Sequence, residues 1–117
     1  MLFRSEVMHL IGELDGKDVL IIDDMIDTAG TTVNAAEAAM ENGANSVTAV
    51  ATHAILSDPA VERISQSSIK KLIVTDTLAI PDSKKLDNME IVTVAQVFGE
   101  AIQRVYDGES VSALFEF

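Results

Sequence analysis

Cysteine is absent from the 117 residues, so disulfides, thiolate-held metals and thiol nucleophiles are excluded, and a reducing compartment is permitted. Positive charge is scarce. Eight Lys and Arg stand against nineteen Asp and Glu, a formal charge of −11. That balance argues against nucleic acid or an anionic membrane as partner and confines any phosphate site to a local feature. No apolar run approaches the roughly 18 residues of a membrane span, and no signal peptide is visible, so the expected location is cytoplasmic. What the chain does have is 48% hydrophobic residues against 23% charged, the balance of a globular domain. This length suits one domain, or part of one, whose folding would bury roughly two-thirds of its unfolded surface.

Periodicity divides the chain into alternating elements. Glu6 to Ile11 reads as a strand, and Met1 to Ser5 before it as an unpatterned leader. Val19-Leu20-Ile21-Ile22 is short, β-branched and uninterrupted, as expected of a strand buried on both faces of a parallel sheet. Val33, Ala36 and Met40, with Ala35 and Ala39 beside them and Asn42-Gly43 as a stop, predict a helix over 31–42. Ser46 to Ile55 reads as a second buried strand. Asp58, as a cap ahead of Pro59, opens a short helix to about Ser65. Strands follow at 71–77 and 90–94, separated by a Pro81-Asp82-Ser83 loop. Phe98, Ala101, Ile102 and Val105 then make one apolar stripe on a helix from Ala95 to Asp107, ended by Gly108. This order predicts an α/β fold, an open and mostly parallel sheet with flanking helices.

In such sheets ligands sit beyond the carboxyl ends of the strands. The segment after Ile22 is Asp23-Asp24-Met25-Ile26-Asp27-Thr28-Ala29-Gly30-Thr31-Thr32. Small residues from Thr28 to Thr31 let backbone N–H groups curl round an anion at a helix N-terminus, with Thr28, Thr31 and Thr32 adding hydroxyls and Gly30 permitting close approach. Asp23 and Asp24 cannot bind phosphate, but carboxylates accept from vicinal ribose hydroxyls and can hold Mg²⁺. Any one of these residues has an ordinary role as helix cap or solvated turn. Three carboxylates and a small-residue loop after a buried strand exceed what one helix cap needs, which points to a phosphorylated sugar.

Val19 to Thr31 resembles the phosphoribosyl-binding motif of type I phosphoribosyltransferases and their relatives. Asp27 stands where many salvage transferases have a small residue, and Asp27-Thr28-Ala29-Gly30-Thr31 resembles the ribose 5-phosphate loop of ribose-phosphate pyrophosphokinases (PRPP synthetases). Glu6 to Gly12, Thr52 to Ser57, Pro59 to Ile64 and Glu109 to Phe115 are similar to the carboxyl-terminal portion of the same family. The resemblance implies that 6–117 is a type I phosphoribosyltransferase-like, C-terminal domain of a longer chain. The family's reaction makes PRPP from ribose 5-phosphate and ATP with Mg²⁺, in homo-oligomers. It implies that Asp23, Asp24, Asp27 and Thr28 to Thr32 bind the substrate, with Asp23 and Asp24 also facing the metal. It further implies that Ser110 and Ser112 contribute to a regulatory phosphate or ADP site at a subunit interface. The family's basic catalytic loop has no counterpart here, so no catalytic residue is assigned and the chain alone is expected to be inactive.

The charge pattern agrees. Between Lys17 and Arg63 lie eight carboxylates and no basic residue, whereas diphosphoryl transfer needs cations around the moving group. Those cations must come from a metal, another chain segment or a neighbouring subunit. Two alternatives stay open: a salvage phosphoribosyltransferase, for which four Phe and one Tyr offer little base-stacking surface, and a non-catalytic phosphoribosyl-binding regulatory module. His53, at a strand end, is more simply a packed or hydrogen-bonded residue than a catalyst, and His9 has still less claim. Met25 within the motif reads as packing. Lys70-Lys71 and Lys84-Lys85 read as solvated.

Overall fold

The structure, a computed structural model, describes residues 12–115. The leader at 1–5, the strand expected at 6–11 and His9 within it lie outside the described residues. Four strands, β1 (Asp18–Ile26), β2 (Ser46–Ala54), β3 (Ile69–Thr75) and β4 (Met89–Val92), pair in the order β1-β2-β3-β4, every pair parallel. Helix α1 (Gly30–Glu41) links β1 to β2 and α2 (Ala60–Ser65) links β2 to β3. The β3 to β4 connection carries only a 3₁₀ turn, Asp82–Lys84, and α3 (Ala95–Tyr106) follows β4. The open parallel α/β sheet with flanking helices is therefore the fold of the described chain. No helix among the described residues is long and apolar enough to cross a membrane.

Strand β1 runs four residues past the apolar stretch that announces it. Asp23 pairs with Ala51, Met25 with His53 and Ile26 with Ala54, so Asp23 and Asp24 lie within the strand and not in the loop after it. Ladder bonds involve backbone only, and both aspartates are exposed on what is, among the described residues, an edge strand, so two charges cost the pairing little. At the other end of β1, the Ser46 hydroxyl and the Asn45 amide donate to one carboxylate oxygen of Asp18, at 2.6 and 2.8 Å. They hold that carboxyl below its ordinary range, Ser46 first and Asn45 second.

One sheet face carries the core. Val47, Ala49, Ala51, Leu72 and Val74 are fully buried there, and α1 closes on the sheet through Thr32, Ala36 and Ala39, spaced for one helical face. Small side chains on both sides let helix and sheet approach closely. The other face differs from expectation: Leu20 is 62% and Ile22 75% exposed, so β1 is not buried on both sides among the described residues. Helix α3 forms where its stripe predicts, yet Phe98, Ile102 and Val105 on it are also exposed. Apolar periodicity records which residues avoid water, and it does not say which segment covers them. At α2, Asp58 does not cap. Pro59 takes the cap position without a side-chain bond, and the Ala60 N–H donates instead to the Ser57 carbonyl at 2.9 Å.

Candidate functional site

The carboxyl end of β1 opens into a cleft of about 210 Å³ lined by Asp23, Met25, Ile26 and the continuous run Asp27 to Thr32. Its floor is anchored by Ile26, which is buried and whose carbonyl accepts the N–H groups of both Ile55 and Leu56 at 3.0 and 3.1 Å. Two bonds onto one carbonyl tie the end of β1 to the turn after β2. The loop therefore starts from a fixed point.

Between Ile26 and α1 the chain turns in three residues. Ala29 takes the left-handed conformation, φ 68° and ψ 8°, immediately before Gly30 starts the helix. Its carbonyl accepts the first helical bond, from the Val33 N–H at 2.9 Å. No side chain caps α1 and its first turn holds no acidic residue, so the leading N–H groups of Gly30, Thr31 and Thr32 have no intrahelical acceptor. These three residues line the cleft at the positive end of the helix dipole, an arrangement suited to an anion. Thr28 and Thr31 are exposed there, while Thr32 is nearly buried against the sheet side of α1.

The carboxylates divide. Asp23 and Asp27 line the cleft, whereas Asp24, one residue along an alternating strand, does not. The neighbouring Asp24 carboxyl and the Asp24 backbone N–H, which donates at 2.8 Å, hold the Asp23 carboxyl below the ordinary range. An ionised Asp23 can accept sugar hydroxyls or face a cation. Among the described residues no three His, Asp or Glu side chains gather as a ready-made metal site. The donor set fits a hard ion that takes one or two carboxylates and completes its shell with water and phosphate oxygens, as Mg²⁺ does.

The remaining sequence candidates lie elsewhere. His53 does not line the cleft, and its Nδ1 sits 2.8 Å from the Thr77 hydroxyl. Met25 does line it and is 45% exposed, more open than a packing role implies. Ser110 and Ser112 are bonded to each other, Oγ to Oγ at 2.7 Å, just beyond α3, where Arg104 donates to the Ser110 carbonyl at 3.1 Å. Sequence reasoning missed Arg63. From α2 its Nη1 donates to the Thr28 carbonyl at 3.1 Å, bringing a cation to the loop across 35 residues of sequence. No local pattern could have signalled that contact, because only the β1-α1-β2-α2 path brings the two together.

The ribose-phosphate pyrophosphokinase of Corynebacterium ammoniagenes is 55% identical over 111 residues, 95% of this chain and 35% of that protein. That of Chlorobaculum tepidum is 55% identical over 112 residues, 96% of this chain and 34% of that protein. The crystal structure of phosphoribosylpyrophosphate synthetase from Mycobacterium smegmatis superposes with a TM-score of 0.82 at 36% identity, covering 84% of this chain and 33% of that one. The chain thus spans about a third of the length of these relatives. The comparisons carry the family and not a carboxyl-terminal placement within the longer enzymes. The model of the phosphoribosyl synthetase-associated domain matches residues 4–116, and the chain belongs to that family.

Proposed function

We propose that this chain supplies the ribose 5-phosphate site of a ribose-phosphate pyrophosphokinase. In that reaction the 1-hydroxyl oxygen of the sugar bonds to the β-phosphorus of ATP, the bond from that phosphorus to the α-phosphate oxygen breaks, and AMP leaves with PRPP formed. The observation that carries the reading is the left-handed Ala29 ahead of an uncapped helix, which leaves successive N–H groups beside the cleft. In this reading Thr28 to Thr32 hold the 5-phosphate, Asp23 serves the ribose diol, and Asp27 lies near the ring, while Asp24 lies outside the lining of the cleft. Mg²⁺, held from the side of Asp23, would neutralise phosphate charge. Placement toward the carboxyl end of the longer enzyme, a homo-oligomeric assembly and a regulatory role for Ser110 and Ser112 belong to the same proposal.

Among the described residues, no Lys or Arg lines the cleft. Turnover needs cations at the moving phosphoryl group, each worth on the order of 10² or more in rate, so the chain alone is expected to bind the sugar phosphate without making PRPP. That same feature is what a non-catalytic phosphoribosyl-binding module would show, and complementation by the remaining two-thirds of such an enzyme separates the two. The primary experiment is a calorimetric titration of the chain with ribose 5-phosphate, with and without Mg²⁺ at constant ionic strength. Binding that strengthens with Mg²⁺, and weakens in Thr28→Val, supports the site. Chemical-shift changes confined to another surface would overturn it.

A further inference from the structure

Arg63 is exposed on α2, and its guanidinium reaches across to the loop between β1 and α1. Nη1 donates to the Thr28 carbonyl at 3.1 Å, and a Cβ added to Gly30 would stand 3.3 Å from the same nitrogen. The guanidinium therefore rests against the bend from Thr28 to Gly30, although Arg63 does not line the cleft that Thr28 to Thr32 line. It touches the loop from outside.

A trans peptide is planar, with its C=O and N–H pointing in opposite directions. A donor that fixes the Thr28 oxygen toward Arg63 consequently turns the Ala29 N–H of the same peptide away from Arg63, toward the cleft side. Ala29 is the residue in the left-handed conformation, which an L-residue adopts only at a cost, so the bend needs support from outside the loop. A charged donor makes a stronger bond than a neutral one. Gly30 completes the arrangement, since any side chain there would press on Nη1.

We infer that Arg63 is the positioning residue of this loop: it holds the Thr28–Ala29 peptide with its N–H presented to the cleft, without itself touching the bound group. The inference deepens the sugar-phosphate reading above and rests on it for the identity of the ligand. Besides holding the peptide, Arg63 brings a positive charge beside an anion site otherwise surrounded by carboxylates, which adds to affinity at low salt.

The test uses the full 117-residue chain as wild type, Arg63→Ala, Arg63→Lys and Gly30→Ala, and reads the loop with and without ligand. Without ligand, amide shifts of Ala29 to Thr32 and exchange of the Val33 N–H report the bend. Arg63→Ala is expected to move those shifts and to speed Val33 exchange about tenfold, the scale of one lost charge-assisted hydrogen bond, while Arg63→Lys restores part of the protection. Gly30→Ala, with Arg63 in place, is expected to shift the Arg63 guanidinium nitrogen resonances. With ribose 5-phosphate as probe, Arg63→Ala is expected to weaken binding about tenfold and Arg63→Lys less. Loop amides and Val33 exchange unchanged in a folded Arg63→Ala chain would overturn the inference. Should that variant not fold, guanidinium resonances indifferent to Gly30→Ala would overturn it equally. A wild-type chain that binds no ribose 5-phosphate, yet responds to Arg63→Ala without ligand, would remove the sugar-phosphate reading and leave the positioning role standing.

Discussion

Ala29 offers the sharpest check on the loop, because two substitutions there should behave oppositely. An L-residue in the left-handed region costs about 1–2 kcal/mol, so Ala29→Gly recovers that amount from a residue whose φ is 68°. It also removes a methyl group from a site only 4% exposed, a loss of about 0.8 kcal/mol. The freer unfolded chain costs about 0.4–1 kcal/mol more. These terms cancel to within about 1 kcal/mol, so Ala29→Gly should be close to neutral in stability. Ala29→Val is different in kind. A β-branched residue at positive φ is a genuine outlier, and two added methyl groups in a packed site typically cost about 1–3 kcal/mol beyond the strain that Ala29 already carries. Urea unfolding followed by far-ultraviolet circular dichroism reads the difference. With a slope of about 1.5 kcal/mol/M, the Val variant should lose roughly 0.7–2 M in midpoint while the Gly variant moves by less than about 0.7 M. Ribose 5-phosphate affinity should follow the same order, kept in Gly and lost in Val. A Val variant with a midpoint within about 0.3 M of wild type would refute the left-handed bend and the presentation of N–H groups that depends on it.

Two further outcomes follow from the opposite end of the sheet. The Asp18 carboxyl is held below its ordinary value by Ser46 and Asn45, so its contribution to stability is present above the unfolded pKa and is lost as pH falls through the lower folded value; Asp18→Asn should flatten the stability profile from about pH 4 downward, measured by thermal unfolding across pH. Gly43, at φ 91°, would place a Cβ against the Asp15 carboxylate and 3.3 Å from the Asp15 Cα, so Gly43→Ala should destabilise by about 1–3 kcal/mol in urea unfolding and leave cleft shifts unchanged.

Which elements form was legible from local pattern alone. The β-branched run at Val19 to Ile22, the stripes that set α1 and α3, and the Asn42-Gly43 stop are short-range signals, because backbone propensity and burial periodicity act over a few residues. The site loop was legible for the same reason: Asp27 to Thr32 carries its geometry in small residues at a strand-to-helix turn. Strand β1 nevertheless runs on through Asp23 and Asp24, since ladder bonding with β2 is decided between strands and takes no account of side-chain polarity. The separation of Asp23 from Asp24 follows from that extension, as adjacent strand residues face opposite sides.

Tertiary structure alone decided the rest. The exposure of Leu20, Ile22 and the α3 stripe depends on which segments lie over them, a relation between distant parts of the chain that periodicity does not encode. The hold of Arg63 on Thr28 has the same origin. Thirty-five residues separate the two, and only the parallel crossovers through β2 set α2 beside the start of α1. The sequence by itself determined the small-residue turn from strand to helix that lines the cleft. The path of the chain determined which cation stands behind it, because a charge acts across space and its neighbours are chosen by the fold.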